Sequence, residues 1–154
     1  MDKVKSFTDE YFMELALNEA KKAYKKDEVP IGAVIVLDNK VIAKAHNTSE
    51  YGKNALEHAE IKVMYKAAKI LEQKRLWDCT LYVTIEPCTM CATAISMMRI
   101  KKVVYGAANP KGGGVESGVQ FFRQLSCFHK PEIIAGIKKE ETASLLKVFF
   151  KNKR

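Results

Sequence analysis

Thr80-Leu81-Tyr82-Val83-Thr84-Ile85-Glu86-Pro87-Cys88-Thr89-Met90-Cys91 is an apolar run that breaks at a proline into two cysteines three positions apart. Residues 80–85 mix β-branched, aromatic and aliphatic side chains, which is the composition of a strand. Pro87 suits a helix start, because its fixed φ and missing N–H cost little where amide donors are unpaired anyway. A strand that feeds directly into a helix, with another strand-like run at 102–107, makes a right-handed parallel crossover the default topology.

Outward from this unit the chain alternates helices and strands. Thr8 can cap a helix running to about Lys26, with Phe7 and Phe12 placed as a hydrophobic staple and Asp9 and Glu10 at the positive end. Phe12, Leu15, Ala16, Ala20, Ala23 and Tyr24 follow helical spacing and read as core. The apolar run 31–37, the turn pair Asp38-Asn39 and the run 40–45 read as a hairpin. A second helix is expected over 58–71, a short last strand over 133–135 and a closing helix over 140–151. Repeats and low-complexity tracts are absent, and residues 108–118, with Gly112-Gly113-Gly114, read as the one loose stretch.

Cys88 and Cys91 share a helix face and can reach one cation. A helix amino end lowers thiol pKa and favours the thiolate that binds metal. His58-Ala59-Glu60 lies about thirty residues earlier. His58 and Glu60 are two apart, so both can point inward only at the entry to their helix. Three donors (His58, Cys88 and Cys91) with a spare carboxylate (Glu60) outline a catalytic zinc site, since a structural zinc usually takes four protein ligands. A carboxylate beside an activated water is a candidate general acid/base. Taken alone, the cysteine pair would also suit a redox centre and the histidine a core position; the combination favours metal. Cys79 and Cys127 lack partners at ligand spacing and read as small buried hydrophobes. His46 and His129 are not assigned to the metal.

With 154 residues, 47% of them hydrophobic, the chain can fill one compact core, and one domain is expected over 1–154. Residues 1–12 contain no continuous apolar segment, so neither a signal peptide nor a membrane span is indicated. Four cysteines, two in a metal pattern, suit a reducing compartment, and a cytoplasmic protein is expected. The formal net charge is +8, with lysines clustered at 21, 22, 25 and 26, at 101 and 102, and at 147, 151 and 153, followed by Arg154. Lysines also merely solvate helix faces, but the total points to a polyanion, and so to nucleic acid.

Glu28-Val29-Pro30-Ile31-Gly32-Ala33-Val34, Asn47, His58-Ala59-Glu60-Ile61, Leu81 through Cys91, Arg99-Ile100 and Val103-Val104-Tyr105-Gly106-Ala107 together resemble the bacterial tRNA adenosine deaminases of the cytidine/deoxycytidylate deaminase superfamily. The resemblance spans nearly the whole chain. It implies a three-layer α/β/α cytidine-deaminase-like fold with a mixed five-stranded sheet between helices. It also implies one Zn²⁺ per chain, a homodimer, a tRNA anticodon stem-loop as partner, and hydrolysis of the wobble adenosine to inosine. By motif, His58, Cys88 and Cys91 are the implied zinc ligands and Glu60 the proton shuttle. Asn47, Val29, Pro30 and Ala59 are implied around the flipped nucleotide, Asn109 near the substrate backbone, and Phe149 or Phe150 along the RNA groove. Two departures stand out: Asn109 where relatives often carry aspartate, and the glycine-rich loop that follows it. Three alternatives remain open at this point. One is a deaminase of a free base or nucleotide such as guanine, cytosine or deoxycytidylate. Another is a non-catalytic zinc-stabilised RNA-binding module. The third is an editing enzyme acting on DNA.

Overall fold

The computed structural model describes residues 7–153. The reading of residues 1–6 as free of a targeting segment, and of Arg154 as part of the basic carboxyl end, falls outside the described residues. The order of elements is α1 (Asp9–Lys25), β1 (Gly32–Leu37), β2 (Lys40–His46), α2 (Ala59–Leu71), β3 (Thr80–Ile85), α3 (Thr89–Met97), β4 (Lys102–Ala107), a 3-10 turn (Phe121–Arg123), β5 (Glu132–Ala135) and α4 (Lys139–Lys151).

The start of α1 is fixed as its sequence requires: the Thr8 side chain accepts a hydrogen bond from the Tyr11 amide, and the Phe7 and Phe12 rings meet edge-on at 5.9 Å. At the β1–β2 turn, Asp38 and Asn39 both take positive φ, of 50° and 64°. That pair of left-handed residues gives the twist a two-residue hairpin needs, and Asp and Asn tolerate it better than most side chains.

The sheet has the order β2-β1-β3-β4-β5. β1 is antiparallel to both β2 and β3, while β3, β4 and β5 run parallel. The expected mixed five-stranded sheet is therefore present, and the β3–α3–β4 unit joins parallel neighbours. Strand alternation sends side chains to two separate cores. Ala33, Ile35, Leu81, Val83, Val103 and Tyr105 pack with Val63, Met64 and Ala67 of α2 and Ala92 and Ile95 of α3. On the opposite face Val34, Val36, Tyr82 and Val104 pack with Phe12, Met13 and Ala16 of α1. α4 joins the α1 face, where the Thr142 hydroxyl accepts from the Ala107 amide at 2.9 Å and Phe149 meets Tyr24. Truncating a buried residue such as Leu81 to alanine should cost about 2–5 kcal/mol through lost burial and the cavity left behind. Gly32 lets α1 lie directly on β1, since a Cβ there would sit 2.0 Å from the Ala16 carbonyl oxygen.

Strand direction decides where function can gather. With β1 reversed relative to its neighbours, the residues before β1 and those after β2, β3 and β4 all emerge at one end of the sheet. Val29, Asn47, Glu86 and Asn109 are those residues. No helix among the described residues is long and apolar enough to cross a membrane.

Candidate active site

His58 and Cys88 are the N-cap residues of α2 and α3, both with extended backbone, and neither side chain makes a capping hydrogen bond. Serine, threonine, aspartate or asparagine would usually spend its side chain on the first turn there. Here imidazole and thiol are left free to turn toward each other. Pro87 therefore stands one residue before the cap, rather than inside the helix where its sequence signal placed it. Its restriction acts on the approach to the cap, and its carbonyl accepts from the Gly114 amide at 2.8 Å. Cys91 follows in the first turn of α3.

The His58 Nδ1 lies 3.6 Å from the Cys88 Sγ and 3.5 Å from the Cys91 Sγ. Among the described residues these three form the one group of histidine, cysteine and acidic side chains close enough to hold a metal. A tetrahedron with ordinary zinc–sulfur and zinc–nitrogen bonds has nitrogen-to-sulfur edges of about 3.6 Å, so the donor set fits that ion without rearrangement. A hydrogen bond from Cys91 lowers the Cys88 thiol to about 4 despite burial, with further help from His58 and the α3 amino end. The Cys91 thiol is pushed upward, first by that same contact with Cys88 and then by burial. One sulfur of the pair thus carries the proton and the other the charge, and a cation would displace the proton.

Glu60 sits in the first turn of α2 and is 3% exposed. Burial raises its carboxyl to about 7; its own backbone amide opposes the shift and the Cys88 thiolate adds to it. A carboxyl that can both give and take a proton near neutrality is what a proton shuttle needs.

Beside the cluster is a cavity of about 150 Å³ lined by Val29, Ile31, Asn47, Ser49, His58 and Ala59. A dry cavity of about this size can hold a flat six-membered ring. Pro30, between two lining residues, is buried. Asn47 ties the pocket together: its Nδ2 donates to the Val29 carbonyl at 3.4 Å and its Oδ1 accepts from the Ser49 amide at 3.3 Å. One amide proton and one lone pair of its side chain remain for a ligand.

Val29 and Ile31 also border a groove of about 640 Å³ that includes Asn109, Lys111, Phe150 and Lys153. A second hollow of about 610 Å³ continues past Phe150 to Lys26 and Tyr51. Phe149, the sequence candidate of the terminal aromatic pair, borders this hollow but is 6% exposed and packs on Tyr24, whereas Phe150 is half exposed and borders both spaces. Geometry thus makes Phe150 the ring offered to the groove.

The loop 108–118 is not loose. The buried Glu86 carboxylate accepts from the amides of Asn109, Val115, Glu116 and Ser117 and from the Ser117 hydroxyl, at 2.9–3.0 Å. Glycine content suggested mobility, and bonds from a distant strand override it. Glu28 plays a smaller version of the same part, taking the Glu50 and Tyr51 amides at 3.0 and 2.7 Å. Sequence reasoning assigned neither carboxylate a role. The available signal was a lone acid at the end of an apolar strand, as in Ile85-Glu86-Pro87. The other cysteines and histidines stay away from the cluster. Cys79 is fully buried, Cys127 donates to the His129 carbonyl, His129 contacts the Ile100 carbonyl and His46 contacts Glu19.

The family described as MafB19-like deaminase matches residues 7–154. A tRNA-specific adenosine deaminase of Agrobacterium fabrum is 53% identical over 144 residues, covering 94% of this chain and 95% of the relative. A solved structure from work on A-to-I editing by tRNA:A34 deaminases at the wobble position of transfer RNA superposes with a TM-score of 0.87 at 53% identity, covering 88% of this chain and 99% of that one. The guanine deaminase from Nitrosomonas europaea shares the fold, with a TM-score of 0.81 at 20% identity over 96% of this chain and 86% of its own.

Proposed function

The chain belongs to the MafB19-like deaminase family, among the tRNA-specific adenosine deaminases, and from that membership we propose that it hydrolyses adenosine to inosine at the wobble position of a tRNA anticodon. The observation that carries the chemistry is Glu60, a buried carboxyl raised to about 7, beside a His58–Cys88–Cys91 cluster of zinc dimensions and a cavity that takes a six-membered ring. We assign Zn²⁺, one per chain, to that cluster.

When bound, the zinc would make a water acidic enough to lose its proton near neutral pH. The rest falls to the chain. The adenine ring leaves its stack and enters between Val29, Ile31 and Ala59, with Asn47 offering its remaining donor and acceptor. Water adds at C6 and the C6–N6 bond breaks. Glu60 takes the two protons of the water in turn, passing the first to N1 and the second, from the hydroxyl added at C6, to the departing amine, so one water is consumed, one ammonia leaves and the oxygen stays on the ring. The apolar walls limit access of other water.

Outside the cavity, Lys111 gives the groove positive charge for phosphates, Lys153 stands beside it paired with Asp27, and Phe150 offers a ring for an unstacked base. Support for a homodimer comes from another surface, where the exposed Met97 and Phe128 border a hollow with Arg75 and Arg99. We read the protein as one domain working in the cytoplasm, where tRNA is its substrate. Incubating the zinc-loaded protein with total tRNA and sequencing for adenosine-to-inosine changes tests the proposal. Turnover of free guanine or cytosine with no change in tRNA would replace it with the free-base reading, and RNA binding without turnover of any substrate would favour a binding module.

A further inference from the structure

Glu86 follows β3 directly, two residues before Cys88, and is 1% exposed. A buried carboxylate is costly unless its lone pairs are filled. Every one of the five donors that fill them comes from residues 109–117, on the far side of β4 in sequence. The same loop is laced to the metal corner: the Gly114 amide donates to the Pro87 carbonyl, and Gly113 forms a bridge with Cys88. Gly113 lies against the carboxylate so closely that a Cβ there would sit 2.4 Å from the Glu86 Cδ. The outward side of the loop carries Asn109 and Lys111 into the groove.

A glycine-rich loop left to itself samples many shapes, and a ligand that needs one of them must supply the ordering. Charge-assisted hydrogen bonds to a single buried anion do that ordering in advance, and they are stronger than neutral ones. Ile85, next to Glu86, borders the same groove, so the anchor and the wall it fixes are adjacent.

We propose that Glu86 is a positioning residue, a buried carboxylate that fixes loop 108–118 so that Asn109 and Lys111 form one wall of the RNA groove. It touches neither substrate nor metal. The inference rests on the RNA reading above, because the wall is assigned to an anticodon stem-loop.

The test compares wild type, Glu86→Gln and Ser117→Ala as zinc-loaded full chains. Kinetics are measured on a stem-loop with adenosine at the wobble position, alongside zinc content and amide hydrogen exchange. An amide side chain offers one acceptor oxygen where five donors converge and adds N–H groups of its own, so Glu86→Gln should free the loop. KM should rise about tenfold, with kcat within about threefold and zinc near one per chain. Exchange at residues 109 and 115–117 should accelerate. Ser117→Ala removes one donor and leaves the four backbone donors to Glu86 in place, so it should fold with a slightly loosened loop and raise KM by about threefold. Unchanged KM in a folded Ser117→Ala or Glu86→Gln protein overturns the proposal, as does a loss confined to kcat with zinc released. If Glu86→Gln does not fold, Ser117→Ala decides alone. If wild type fails on the stem-loop, the RNA reading fails, and hydrogen exchange still decides whether Glu86 orders the loop.

Discussion

At the metal corner every functional side chain stands on a helix cap or first turn, whereas much of the groove rim, Phe150 of α4 apart, stands on two irregular loops. His58, Glu60, Cys88 and Cys91 are placed by the starts of α2 and α3, so a few φ and ψ values aim them all. The rim has no such frame. Residues 50–51 and 109–117 keep their shape through bonds to Glu28 and Glu86, each more than twenty residues away in sequence. A reaction centre can thus be built by local backbone periodicity, while a binding wall that follows an irregular ligand needs long-range anchors.

The largest expected effects come from breaking the corner. Cys91→Ala removes a buried donor, and elemental analysis should show zinc falling from about one per chain to a small fraction, with deamination at background. Cys79→Ser should keep its zinc, because Cys79 lies outside the cluster. Full metal in the Cys91 variant would show that other residues make the site. Next in size is Glu60→Gln, which keeps the donor set and removes the proton carrier. Turnover should fall by at least ~100-fold while zinc and stem-loop affinity stay within about threefold. Near-normal turnover would remove Glu60 from the reaction.

A smaller effect separates the two terminal aromatics. Phe149 is 6% exposed and packed on Tyr24, so Phe149→Ala should act on stability, at a cost of about 3 kcal/mol. Phe150 is half exposed at the junction of both groove hollows, and Phe150→Ala should leave thermal unfolding nearly unchanged while weakening stem-loop binding by about 1–3 kcal/mol if a base stacks there. Calorimetry and fluorescence titration on the same pair decide it. Equal affinities for Phe150→Ala and wild type would leave that ring without a role in the groove.

The same contrast explains what could be read from the chain before its fold. Strand alternation at 80–85, the Thr8 cap, the Asp38-Asn39 turn and the Cys88/Cys91 spacing are short-range signals, and each has its counterpart in the structure, whereas the fold brings His58 to the pair from 30 residues away. Loop 108–118 misled because its own residues, three consecutive glycines among them, carry the signature of freedom, while the carboxylate that cancels it stands just past β3. The choice between Phe149 and Phe150 was equally closed, since neighbouring helix positions differ only in what α1 covers.

The smallest effect expected is a pH dependence of stability behind the pocket wall. His46 precedes Asn47, and its Nδ1 meets Glu19 Oε1 at 3.3 Å while its Nε2 is buried without a partner. Burial lowers the imidazole below 6.5; Glu19 opposes that shift, and Lys26 and Lys62 reinforce it. Glu19 is also held below its ordinary value: burial would raise it, but hydrogen bonds from Lys22 and His46 prevail. At neutral pH the contact is therefore a neutral imidazole donating to a carboxylate, and Lys22 supplies the charge partner at 2.6 Å. Both depressed groups bind protons more readily in the unfolded chain, so the contribution of this pair to stability is full above about pH 6.5 and falls as pH drops, first through the histidine and then below about 4.5 through Glu19. The difference in melting temperature between wild type and His46→Gln, which leaves the opposite-signed contribution of Glu60 in both proteins, should be constant between about pH 7 and 8 and change below about 6.5. That difference should move against wild type between about pH 6.5 and 5, while the later, glutamate-linked fall persists in both proteins. A difference that stays constant through that range would show that the acid sensitivity lies elsewhere.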